Sequence, residues 1–184
     1  MNKIIIGAGK TTFDGWVSTQ EDELDLLNRQ SFLNNYKENS IDAMLAEHVW
    51  EHMTLDEGKI AAKNCFEFLK PGGYLRCAVP DANFRNEAYQ QLVQIGGPGP
   101  TDHPAFSHKI VYDYKTFIEV FEEAGFKVEL LEYCDELGAF HYNYWNEEDG
   151  KIGRSFRFDT RNSMDKLGMV SIIIDAKKTL IINP

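Results

Sequence analysis

"SIDAMLAEHVWEHMTLDE", residues 40–57, can be read in two ways, and the choice decides the fold. His48-Val49-Trp50-Glu51-His52 spells H-x-x-E-H, which on a helix sets two imidazoles one turn apart around a zinc ion, with a glutamate beside them as base. The same residues follow an apolar run, Ile41 to Ala46, that has the look of a buried strand. They would then form the loop at its C-terminal end, where open α/β sheets bind their ligands. Thr54-Leu55-Asp56-Glu57 decides between the two. It is an S/T-x-x-E capping box, with the Thr54 hydroxyl reaching the Glu57 amide and the Glu57 side chain reaching back to the cap. A helix that begins there leaves His48 and His52 ahead of it, without the i, i+4 geometry the zinc motif needs. The strand-and-loop reading is adopted, and no metal ligand is assigned. A plain role for both histidines, capping or bonding within the loop, stays open.

Working outward, "TLDEGKIAAKNCFEFLKPGG" carries Ala62, Cys65, Phe66 and Leu69 at the i, i+3, i+4, i+7 spacing of one helix face and closes on Pro71-Gly72-Gly73. "DYKTFIEVFEEAGF" predicts a second helix, with Asp113 as N-cap, Phe117, Ile118, Phe121 and Ala124 on one face, and Gly125 just past its end. Residues 83–94 suggest a third. Strands are expected at 3–6, 16–18, 23–27, 41–46, 74–80, 127–134 and 170–177. Strands and helices in this order, with crossovers between parallel strands, predict a doubly wound α/β sheet.

Composition limits the alternatives. The 184 residues with 43% hydrophobic content suffice for one complete core, so one domain spanning 1–184 is expected. Nineteen Lys and Arg against 29 Asp and Glu, a formal net charge of −10, disfavour nucleic acid and anionic membranes as partners. Cys65, Cys77 and Cys134 form no C-x-x-C pair, so neither a disulfide framework nor a cysteine zinc site is suggested. The start, "MNKIIIG", is too short an apolar run for a signal peptide or membrane span, and a cytoplasmic protein is expected.

"IIIGAGKTTFDGW", residues 4–16, fails two phosphate motifs. A P-loop ending at Gly9-Lys10-Thr11 needs glycine where Ile4 stands, and a G-x-G-x-x-G fingerprint from Gly7 needs glycine where Thr12 stands. What remains is a strand and a Gly7-x-Gly9 turn, a tight turn or a place where backbone approaches a ligand closely.

Together, "IIIGAG", "GWVST", "SIDAMLAEHVWEH", "FLKPGGYLRCAVPD", "FEEAGFKVELLEYCDELG" and "SIIIDAKK" resemble the class I S-adenosylmethionine-dependent methyltransferases, of the small type 11 kind, over nearly the whole chain. The resemblance implies a Rossmann-like, mostly parallel seven-stranded sheet with an antiparallel last strand, and S-adenosyl-L-methionine as cofactor. It maps the glycine turn, Gly7, Ala8 and Gly9, to the methionine and ribose part of the cofactor. Ala46, Glu47 and His48 map beside its adenine and sulfonium, with Thr19 from the end of the second strand in the same set. Two departures stand out. Gln20 follows Thr19 where the family carries an acidic residue for the ribose hydroxyls, with Glu21 or Asp22 as substitutes after a small shift. Gly9 to Asp42 is also too short for the usual helix, two strands and helix, which implies a first helix reduced to a loop. Both keep open a non-catalytic binding module on the same fold.

Between "LLEYC" and "SIIID", which in this fold pair antiparallel, an insertion at about 135–169 is far longer than a hairpin turn. Phe140, Tyr142, Tyr144 and Trp145 argue against disorder, and Arg154, Arg157 and Arg161 add fixed positive charge. Either the insertion packs over the cleft and holds a polar or anionic acceptor, or its aromatics cover the sheet edge while its arginines pair with Asp159 and Glu147. The acceptor-side candidates are Asp81, His108, Arg154 and Arg161. His52 and Glu51 are the candidate catalytic groups, with Glu51 expected to raise the pKa of His52. Methyl transfer to a small-molecule or protein acceptor is the first functional reading, the binding module the second and a zinc hydrolase the third.

Overall fold

The computed structural model describes residues 1–163 and 165–180. In chain order the elements are β1 (Lys3–Ile6), β2 (Trp16–Ser18), α1 (Arg29–Asn35), β3 (Ile41–Glu47), α2 (Leu55–Phe68), β4 (Leu69–Pro80), α3 (Glu87–Val93), α4 (Tyr114–Glu123), β5 (Lys127–Cys134), β6 (Phe140–Tyr142) and β7 (Ser171–Lys177). One sheet holds all seven strands in the order β2-β1-β3-β4-β7-β5-β6. The first four neighbours pair in parallel, while β7 runs antiparallel to both β4 and β5. No helix among the described residues is long and apolar enough to cross a membrane.

The predicted capping box is present. Thr54 Oγ1 accepts from the Glu57 amide at 3.3 Å, and Glu57 Oε2 accepts from the Thr54 amide at 2.7 Å. The helix therefore starts beyond the histidines, and Trp50–His52 form only a single 3-10 turn. Thr54→Ala is expected to lower stability by about 1 kcal/mol, read as a shift in urea midpoint at unchanged slope.

Period-2 alternation divides the strand side chains between two layers. Ile4, Ile6, Met44, Ala46, Leu75, Cys77, Ile172 and Ile174 face α1, α2 and α4, meeting Phe32, Ala61, Ala62, Cys65, Phe68, Phe117, Val120 and Phe121. The opposite residues, Ile5, Leu45, Ala78, Leu131 and Ile173, are covered by the insertion through Trp145 and Ile152 instead of by helices. A helixless layer is possible because polar anchors hold it. Glu132 accepts from Trp145 Nε1 and from the Phe156 amide, both at 2.8 Å. Arg76, only 2% exposed, grips Asp175 through two bonds of 2.7 and 2.8 Å, donates to the carbonyls of Asn146 and Gly150, and lies 4.9 Å from the Trp145 ring.

One strand expectation is corrected. Residues 23–27 form turns, and the seventh strand is Phe140–Tyr142, paired with β5. The alternation of Leu24 and Leu26 imitates a strand, but both side chains are buried from a loop that closes the helix-side core, so burial there comes without sheet pairing. The reduction of the first helix to a loop is seen: β1 passes to its parallel neighbour β2 through residues 7–15, where parallel connections ordinarily take a dozen residues or more. Positive φ at Gly7, Gly9 and Gly15 makes the shortcut possible.

Candidate functional site

A cleft of about 710 Å3 opens at the C-terminal ends of β1, β3 and β4, the ligand side expected for such a sheet. Its floor is the glycine loop. Gly7 and Gly9 have φ of +56° and +55°, both line the cleft, and a Cβ at Gly9 would meet nothing within 4 Å. A Cβ at Gly7 would instead press on Val49 Cγ2 at 2.9 Å.

The residues after β3 turn sharply. His48 has φ +57°, a left-handed conformation that a non-glycine residue adopts only at a cost and that is seen most at functional sites. Its amide donates to the Ala78 carbonyl at 2.8 Å, and its Nε2 lies 3.0 Å from Ser171 Oγ. Trp50, fully buried against Phe121, donates from Nε1 to the Gly58 carbonyl and so pins the 3-10 turn to the helix layer. That anchor leaves Glu51 and His52 lining the cleft. The Lys109 amide donates to the Glu51 carbonyl at 2.8 Å, drawing the 108–110 segment alongside and setting the rings of His52 and His108 5.0 Å apart, edge to face.

Glu51 is 0% exposed. His48 Nδ1 stands 2.9 Å from its Oε1 as an ion-pair contact, and neither carboxylate oxygen has a further partner. Burial pushes this carboxyl up, and the nearby His48 more than offsets it, leaving it below its ordinary range. His52 moves opposite to the sequence expectation. Burial lowers its pKa, and the opposing pull of Glu51 does not make up the difference.

Most of the sequence candidates meet in this cleft: Gly7, Ala8, Gly9, Glu47, His48, Glu51, His52, His108, Arg154 and Arg161 all line it. Three do not. Thr19 is buried and its hydroxyl donates to the Ile5 carbonyl. Ala46 is on the helix face of β3, with Glu47 opposite by the pleat. Asp81 is 0% exposed and accepts from the amides of Cys134 and Asn83 at 2.6 and 2.8 Å, a structural cap whose burial raises its pKa to about 6.

Two others arrive already engaged. The Glu47 carboxylate accepts from the amides of Gly153 and Arg154, so it clasps the insertion, and Arg161 is held by Asp159 at 2.8 and 2.6 Å. Of the two alternatives for the insertion, the structure shows its aromatics packed on the sheet and Arg161 paired with Asp159, while Arg157 lies on Trp145 instead of pairing with Glu147, and Arg154 lines the cleft.

Beside the cleft, across Gly7 and His48, lies an apolar slot of about 290 Å3 formed by Leu24, Leu26, Leu27, Val49 and Met53, with Glu21 and Asp25 among its lining residues. Sequence reasoning missed its leucines by taking them for a strand. Gln20, standing where an acidic residue was sought, accepts from the Gly9 amide at 3.2 Å and donates to the Gly9 carbonyl at 3.0 Å, which braces the loop. Of the two residues considered for the ribose position, Glu21 is among the slot's lining residues, and both Glu21 and Asp22 line a separate hollow beside it.

Residues 17–77 match the methyltransferase domain family. No curated protein matches the chain. Among solved structures, an S-adenosylmethionine-dependent methyltransferase from Archaeoglobus fulgidus is similar at a TM-score of 0.55 and 16% identity, over 96% of this chain and 86% of that one. A possible histamine N-methyltransferase from Thermotoga maritima gives 0.54 and 13%, over 97% and 82%. A putative methyltransferase from Haloferax volcanii, solved with its Trm112 activator, gives 0.53 and 13%, over the same shares.

Proposed function

On the premise that this chain has the class I S-adenosylmethionine-dependent methyltransferase fold, with the family match at residues 17–77, we propose that it transfers a methyl group from S-adenosylmethionine to an acceptor held in the cleft. The observation that carries the reading is the glycine loop, Gly7 to Gly9, lining a cleft that shares Gly7, His48 and His52 with a neighbouring apolar slot. A long ligand with a polar amino-acid end and a flat, weakly polar end matches that pair of spaces. Gly7, Ala8 and Gly9 would hold the polar end, the slot leucines with Val49 and Met53 the flat one, and Glu21 or Asp25 the hydroxyls between them. When bound, the cofactor supplies an electrophilic methyl on a sulfonium. The chain's own contribution is to align an acceptor and exclude water, and His52 faces the space left for that acceptor.

Calorimetric titration of the purified chain with S-adenosylmethionine and S-adenosylhomocysteine tests the reading. Saturable binding of one molecule per chain is the expected result, and no heat at millimolar ligand would sink it. The brace that Gln20 makes on Gly9, in place of an acidic group on the ribose, favours the competing reading of a binding module without turnover. His52→Ala separates the two. Under methyl transfer it lowers turnover about a hundredfold while leaving cofactor affinity nearly unchanged; under the module reading there is no turnover to lose.

A further inference from the structure

We propose that Glu51, His52 and His108 bind one divalent transition-metal ion at the acceptor end of the cleft. Each offers one ligand atom, and the three atoms lie within 4.8 Å of one another. This is not the pair spelled by H-x-x-E-H: His48 lies outside the group, its Nε2 on Ser171 and its Nδ1 beside Glu51 Oε1, and the second imidazole comes from a distant part of the chain.

Three features fit this trio to an ion. First, the Glu51 carboxylate is completely buried and meets a single imidazole, with His48 Nδ1 2.9 Å from Oε1, while Oε2 has no partner; a buried carboxylate oxygen left without a partner costs free energy that a cation in front of it would offset. Second, both imidazoles have one nitrogen committed outward. His108 Nδ1 lies 2.9 Å from the Val93 carbonyl, which can only accept, so that nitrogen carries the proton and Nε2 keeps its lone pair. His52 Nδ1 is likewise taken up, 2.7 Å from Ser107 Oγ, which leaves Nε2 as the ring nitrogen available to an ion. A ligating histidine typically donates its other N–H to a backbone carbonyl or similar oxygen, which fixes tautomer and ring direction. Third, the remaining coordination positions face the cleft, where water or an oxygen donor on the acceptor could take them.

Two imidazoles and a carboxylate select a first-row transition ion of the zinc or ferrous kind over magnesium or calcium, which take oxygen donors. Ligands of four-coordinate zinc stand roughly 3.4 Å apart, so an ion would draw the three groups inward by about an ångström. His103 is excluded from the set, because its Nδ1 already accepts from the Ala105 amide.

The test uses the full chain stripped with a chelator and then dialysed free of it. Zinc is titrated by calorimetry, and cobalt(II) by its visible spectrum. One ion per chain is expected, with a cobalt spectrum distinct from that of the aqueous ion. His52→Ala, His108→Ala and Glu51→Gln should each weaken affinity by at least the tenfold to hundredfold that loss of an outer-shell partner costs, while His103→Ala keeps the stoichiometry. Far-UV circular dichroism reports folding, and His52, at the cleft surface, keeps the test alive if His108→Ala does not fold. No binding by the folded unmodified chain, or equal binding by all three ligand variants, overturns the proposal. The titration needs no cofactor, so its failure is separate from failure of the methyl-transfer reading.

Discussion

Valine in place of Gly9 leaves the chain folded and weakens its affinity for S-adenosylhomocysteine about a hundredfold, or about 2.7 kcal/mol. No protein atom lies within 4 Å of a Cβ at this position, so the protein itself does not resist the side chain, and Gly9 lines the cleft where a ligand would meet it. The substitution also forces a branched side chain to a φ of +55°, a backbone strain of about 1–2 kcal/mol. Gly15 provides the matched control, since it too has positive φ, at +79°, and open space at its Cβ, but it is outside the cleft lining. Gly15→Val should show the strain as lost stability and keep ligand affinity. Calorimetry beside urea denaturation separates the two effects, and equal affinity losses in both variants would remove the glycine loop from the binding site.

Replacing Arg76 by methionine is expected to cost about 3–5 kcal/mol of stability, the loss typical of removing one partner from a buried ion pair. Asp175 would be left buried without its two guanidinium bonds, and the carbonyls of Asn146 and Gly150 would lose their donor together. Because those carbonyls belong to the insertion, the damage reaches beyond the pair: the layer over Ile5, Leu45 and Ile173 loses its clamp. Chemical denaturation measures the first effect and hydrogen exchange across residues 143–158 the second. The double variant Arg76→Met, Asp175→Leu should recover much of the stability, since an apolar pair of similar volume does not carry the desolvation cost. A single variant within about 1 kcal/mol of the parent would show that the insertion is held by its aromatic contacts alone.

The sequence by itself determined the helix start, the central strands and the loop that carries His48 to His52. Each of these is local chemistry: the capping box is complete within Thr54 to Glu57, and the apolar run from Ile41 to Ala46 needs no partner to be recognised. The antiparallel partner of β5 and the shortened first helix were legible only through the resemblance to the methyltransferase family, not from any local pattern.

Tertiary structure decided which way the side chains at those positions face. Ala46 and Glu47 are neighbours in sequence, yet the pleat sends one into the helix layer and the other to the cleft, and Asp81 turned out to be a buried cap. Residues 23–27 read as a strand because burial alone produces alternating leucines, while pairing depends on whether a neighbouring strand has a free edge, which is a property of the whole sheet. The meeting of Glu51 and His52 with His108 was equally out of reach. It follows from one long-range backbone bond, Lys109 to Glu51, and from the Trp50 anchor, and no pattern within either segment encodes the contact, because bringing distant residues together is a consequence of the packed core and not of local preference.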